Sequence, residues 1–206
     1  MPLVRKDAAI PGPPPPSDAR TELVSGSPDQ RRAAARRLGG EAGDIGLLAA
    51  ALTGEPDLRV REAILTALAA CRTTQAFDAM LPLVRSDNAD VRTGALDALR
   101  AMPDAIGARL AVVLVDEDSD VRLLACDLAR SLPGALAQPL LCALLDREVE
   151  INVCAAAVDV LAEVGDAGAV SCLQRCADRF GAEPFLAFAI RAAIAGLSSQ
   201  ASGARG

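Results

Sequence analysis

Apolar and polar positions alternate in this chain in phrases about thirty residues long. Residues 116–129, "DEDSDVRLLACDLA", run from an acidic turn through Val-Arg into apolar positions at helical spacing, and "SDNADVRTGALDAL" at 86–99 has the same order. Aligning on the Val-Arg pair places Val60-Arg61, Val91-Arg92, Val121-Arg122 and a degenerate Ile151-Asn152 at spacings of 31, 30 and 30 residues. Gln30-Arg31 lies thirty residues before Val60, and Ile190-Arg191 follows Ile151 after 39, so six copies are expected with an enlarged last one. The fourth residue after each anchor is small or aliphatic (Ala34, Ile64, Ala95, Ala125, Ala155, Ile194), which together with the eighth draws the stripe of an amphipathic helix.

Between these helices lies a second set of helical period: "DIGLLAAALTG", "QAFDAMLPLVRS", "AIGARLAVVLVD", "ALAQPLLCALLD" and "AGAVSCLQRCADRFG". Paired helices repeating with no strand signal between them predict an all-α fold, an α-solenoid in which each pair buries its apolar face against the next. The phrase recurs because one pair cannot cover itself. The repeats are expected over residues 27–197, behind a disordered Pro-rich leader at 1–26 and ahead of a flexible tail at 198–206. Pro11 and Pro13 to Pro16 suggest a polyproline II leader, either a solvated tail or a ligand for an aromatic-lined groove.

Composition narrows the function. Half of the 206 residues are apolar, but only 2% are aromatic and Trp and Tyr are absent, so the core must come from closely approaching Ala, Leu and Val helices. A formal charge of -6 argues against nucleic acid and anionic lipid as partners. No apolar run reaches the roughly 20 residues of a membrane span, and the prolines interrupt any secretory core near the start. A cytoplasmic protein with a protein partner is expected. Without His or Tyr, the usual general bases and phenolic acids are missing, and no Gly-rich phosphate loop follows a strand. Activity as an enzyme is not expected, nor is a cofactor or a metal.

The phrase Asp-x-x-Val-Arg-x-x-Ala-x-x-Ala-Leu, followed by a Gly- or Pro-marked turn and a second apolar helix, resembles the HEAT repeat, especially the short bacterial form first described in phycobilisome lyases. The resemblance runs over residues 27–197. It implies a right-handed superhelix of about six helix pairs whose Val-Arg helices line the concave side. It also implies a ladder between acidic turn residues and helix arginines, here Asp57, Asp90, Asp120 and Arg61, Arg92, Arg122. Such repeats serve scaffolds, adaptors, chromophore lyases and a group of DNA-repair glycosylases. A non-enzymatic scaffold or adaptor is the expectation, with a lyase-type or chaperone-like handler of a chromophore or cofactor as the alternative; a glycosylase would need the basic, aromatic groove that this composition lacks.

On helical spacing, the concave face should carry Arg32, Arg36, Glu62, Thr66, Thr93, Asp97, Arg100, Leu123, Asp127, Arg130, Val153, Ala157 and Val160, running from basic through mixed to apolar. The predicted protein-binding set is Asp97, Arg100, Leu123, Asp127, Arg130, Val153 and Ala157. Phe180, Phe185 and Phe188 crowd the last repeat, where they can cap the solenoid end or anchor a partner. The six cysteines contain no C-x-x-C, and Cys126, Cys142 and Cys154 fall at or beside apolar phases, so free core thiols are expected; Cys172 and Cys176, one turn apart, are the nearest approach to a redox or metal pair.

Overall fold

The computed structural model describes residues 18–203. Pro11 and Pro13 to Pro16, and with them the polyproline expectation, lie outside the described residues. Twelve α-helices follow one another, and no strand occurs among the described residues: α1 Ala19–Ser25, α2 Pro28–Leu38, α3 Ile45–Gly54, α4 Leu58–Ala70, α5 Thr74–Met80, α6 Ala89–Arg100, α7 Pro103–Val113, α8 Ser119–Ala129, α9 Gly134–Leu145, α10 Ile151–Val164, α11 Val170–Arg179 and α12 Pro184–Gly203. They form six antiparallel pairs, an α-solenoid. Residues 19–25, drawn into the leader, form α1: Asp18 accepts from the Arg20 amide to start it and Leu23 is buried; at the other end α12 continues past residue 197.

Side-chain caps set the phase of the first four even-numbered helices. Ser27 and Gln30 close a capping box on α2, Asp57 accepts from the Arg59 and Val60 amides, Asn88 from Asp90 and Val91, and Asp118 from Asp120. Asp90 and Asp120 are therefore exposed first-turn acids rather than caps. Three residues after the cap stands a buried anchor, Val60, Val91 or Val121. The same count corrects the last two copies. The Cys154 amide donates to the Glu150 carbonyl and the Ala187 amide to Glu183, so the anchors there are Val153 and Leu186 instead of Ile151 and Ile190. Counted from Val121, the spacings are 32 and 33 residues, and the nine-residue enlargement disappears into two slightly longer turns.

Helices α2, α4, α6, α8, α10 and α12 form one layer and the odd-numbered helices the other, with a single continuous core between them. Neighbours in the even layer are on the whole in closer contact, which makes it the inner layer; its most open junction is α6 against α8. Small residues permit the approach. Gly134, at the first position of α9, is the extreme case: a Cβ there would stand 1.9 Å from the Val164 carbonyl oxygen, so only glycine fits.

Candidate partner-binding groove

The fourth residue of each inner helix is an arginine in the first four pairs: Arg31, Arg61, Arg92 and Arg122. Each reaches back to a carbonyl of the turn before its own helix, at Gly26 (2.8 Å), Glu55 (2.7 Å), Ser86 (2.6 Å) and Asp116 (2.9 Å). Two of them also grip a carboxylate of the following repeat in a forked pair. Arg31 donates to both oxygens of Glu55 at 2.7 and 2.8 Å, and Arg122 to both of Glu148 at 2.7 and 2.9 Å. Both carboxylates are buried, three residues before a helix start, and both also accept backbone amides. Arg31 holds Glu55 below the usual carboxylate range; burial pushes Glu148 up, but Arg122 and the amides of Glu150 and Val149 outweigh it and leave it lowered as well. The ladder thus joins repeats through Glu55 and Glu148. Asp90 and Asp120 take no part in it.

A second, more exposed ladder crosses the inner face. Arg100 bridges Asp97 on its own helix (2.8 Å) and Asp127 on α8 (3.0 Å), and Arg130 bridges Asp127 (3.8 Å), Asp159 on α10 (2.8 Å) and Glu163. The four charged residues predicted for the groove are therefore brought together, with Asp159 and Glu163 added by the corrected register of α10. Four carboxylates face two guanidinium groups, so the ladder keeps an excess of negative charge.

The apolar members of the predicted set fare differently. Leu123 is half-buried and lines the cleft between α6 and α8 with Leu124. Val153 is 1% exposed and Ala157 0%, and Val160 is buried too: they are core, because the two extra residues before α10 rotate that helix by half a turn relative to the assumed alignment. In their place the inner face of α10 presents Ala155, Ala156, Asp159 and Ala162. Across from them α12 presents Phe185, Ala189, Ala192 and Gly196, and the two helices enclose an open trough of about 600 Å³. Phe185 and Phe188 are 74% and 65% exposed, so of the two roles open to them, cap or partner anchor, they do not bury the solenoid end; Phe180 is half-buried, under the Arg179 guanidinium at 5.1 Å. With no side-chain cap at Glu150 to mark the start of α10, the sequence carried little signal for this trough.

Residues 18–104 match a family model described as HEAT repeats. The match spans the first three helix pairs. The same anchors and turns continue to α12. No curated protein matches the chain. Among solved structures it is similar to two engineered proteins, one at 17% identity (89% of this chain, 97% of that one, TM-score 0.37) and one at 20% (89% and 99%, TM-score 0.42). A designed armadillo repeat protein is similar at 17% identity (87% and 98%, TM-score 0.39). No helix among the described residues is long and apolar enough to cross a membrane.

The last two pairs also correct the cysteine expectation. Cys142 on α9 and Cys172 on α11 are joined in a disulfide, thirty residues apart with Cα atoms 5.5 Å apart; Cys71, Cys126, Cys154 and Cys176 are free. Cys154 occupies the position of the ladder arginine and pairs with Cys176, whose sulfur shares its proton and, with burial, raises the Cys154 thiol above its ordinary value. Burial pushes Cys126 up to about 12. The Glu148 carbonyl, which a ladder arginine at 154 would serve, is taken by Arg179 of α11, which also donates to Leu145. No group of three or more His, Cys, Asp or Glu able to hold a metal occurs among the described residues.

Proposed function

We propose that this protein is a non-enzymatic interaction scaffold that holds a protein partner on the inner face, centred on the trough between α10 and α12. One observation carries it: the exposed Phe185 and a run of alanines line a trough beside an ion-pair ladder with surplus carboxylates. Large apolar groups left in water next to a concave, small-residue floor favour a ridge of apolar side chains from outside. The surplus of Asp97, Asp127, Asp159 and Glu163 over Arg100 and Arg130 selects its charge. The partner that fits is an amphipathic helix with Lys or Arg along one flank. The trough offers a tetrapyrrole alanines, Val158, Gly196 and Phe185 with Asp159 as its one charged group, which gives the lyase alternative no support.

The test is site-specific photocrosslinking in the source lysate, with the crosslinker at Ala192 in the trough and, for comparison, at the exposed Ala111 of α7. A discrete protein adduct at Ala192 alone, lost in Phe185→Glu, is expected. Equal labelling at both positions would place the partner surface elsewhere.

A further inference from the structure

We infer that the Cys142–Cys172 disulfide is a reducible clamp on the C-terminal helix pair, and that a dithiol reductant releases α11 and α12 from the rest of the solenoid as one unit. The terminal pair of a linear repeat array has a neighbour on one side only, so it is the first unit to open. Here its polar ties converge on the turn after α9: Arg175 pairs with Asp146 at 2.9 Å, and Arg179 caps the carbonyls of Leu145 and Glu148. This junction lacks the forked Arg–Glu pair found at α2/α4 and α8/α10, because Cys154 stands where that arginine would be and Gly181 where that carboxylate would be. The covalent bond between α9 and α11 takes over that role.

Two features make the bond suited to reduction in place. Cys142 is half-exposed whereas Cys172 is buried, so an external thiolate has one sulfur to attack. Attack at Cys142 forms a mixed disulfide and expels Cys172 as a thiolate; the second thiol of the reductant then displaces Cys142, the two cysteine sulfurs take up two protons, and the reductant leaves as its own disulfide. An acceptor for the new Cys172 thiol is already in position: the Ala169 carbonyl oxygen lies 3.2 Å from its sulfur, a contact that a disulfide cannot use as a donor. Once α11 is freed, Cys154 and Cys176, buried on facing helices, become reporters of the opening.

The experiment uses the full chain, prepared without reductant, and reads alkylation by mass spectrometry with and without dithiothreitol in the absence of denaturant. Before reduction Cys71 should be the one cysteine that labels readily. After it, Cys142 and Cys172 should label, and Cys154 and Cys176 should label faster by about 30-fold or more, the scale on which such a cross-link limits opening, while Cys126 stays slow. Hydrogen exchange should accelerate over residues 170–200 and not over α4. The proposal fails if the preparation already contains six free thiols, if the bond resists dithiothreitol until the protein is unfolded, or if exchange over α11 and α12 is unchanged after confirmed reduction. A Cys142→Ser, Cys172→Ala variant should match the reduced wild type in exchange; protection equal to the oxidised form would also overturn the clamp. None of these readouts depends on partner binding.

Discussion

The junctions α8/α10 and α10/α12 are adjacent copies of the same contact, built differently. At the first, Arg122 donates to two turn carbonyls and clamps Glu148, so each buried polar group is satisfied by charge and hydrogen bonding. At the second, the arginine position is Cys154, the turn carbonyls are served from the outer layer by Arg179, and the pairing is by sulfur. Both are well-packed. The comparison shows that the repeat specifies a geometric requirement, that the turn carbonyls be capped and adjacent pairs tied, while leaving the chemistry free. It also explains the inner surface. Where the polar clamp ends, beyond Glu148, the exposed face turns to alanine and phenylalanine.

The sharpest way to break this comparison is to charge the anchor that the two junctions share. Val153 packs between them, and Val153→Asp should cost about 4 kcal/mol, because a carboxylate would be buried without a partner. Leu123→Asp, half-exposed at the neighbouring cleft, should cost about 1 kcal/mol or less. Urea melts of the two variants measure the difference; equal costs would return Val153 to the surface.

That contrast marks what could be read in the sequence. The helix-pair period, the absence of strands and the anchors Val60, Val91 and Val121 follow from hydrophobic spacing, since each apolar position is repeated several times in phase. Asp97, Arg100, Asp127 and Arg130 recur in the same phase and meet in one ion-pair ladder. Failure began at Ile151-Asn152, which imitates Val-Arg in shape but lies at the helix start; a shift of two residues moves a position by about 200° around a helix and exchanges face for core. Glu150 gives no side-chain cap to mark the boundary, so local chemistry offered little warning. The cysteine pairing was hidden because Cys142 and Cys172 are on different helices and only the packing of α9 against α11 brings them together.

Next in size is the clamp itself. Glu148→Gln removes the charge but keeps the volume, leaving Arg122 in a site where little water reaches it, and should cost about 3 kcal/mol; Glu55→Gln should behave alike with Arg31. Both carboxylates have folded pKa values below their unfolded ones. Their contribution is therefore complete above the ordinary carboxylate range and is lost as pH falls through the lowered values. The wild type should lose stability steeply below about pH 4, and the Gln variants should show a shallower acid limb. Identical slopes would mean that the pairs are not formed in the folded chain.

Arg179→Met should cost less, about 1–2 kcal/mol, since it removes two hydrogen bonds to carbonyls but keeps the side-chain stem. Here the comparison predicts a redox dependence. The loss should be larger after reduction of Cys142–Cys172, because the remaining ties then carry the junction alone; Glu148→Gln, on the other side of α10, should cost nearly the same in both states. Melts with and without dithiothreitol give the four values.

The smallest expected effect on stability is at the exposed ladder. Arg100 and Arg130 hold carboxylates that are themselves largely open to water, and such pairs contribute about 0.5 kcal/mol or less because solvent screens them. Arg130→Gln should therefore leave the melting temperature nearly unmoved. It removes one of the two positive charges that offset Asp97, Asp127, Asp159 and Glu163, so the inner face becomes more negative beside the alanine trough. A synthetic amphipathic helix with a lysine flank should bind this variant more tightly at low salt, with the gain vanishing as ionic strength rises, while a glutamate-flanked helix should bind it more weakly. Asp159→Asn should do the reverse at equally small cost to folding. If both variants bind the lysine-flanked helix like the wild type at low salt, the ladder does not face the partner, and the charge preference assigned to the groove is wrong even if the trough is the docking site.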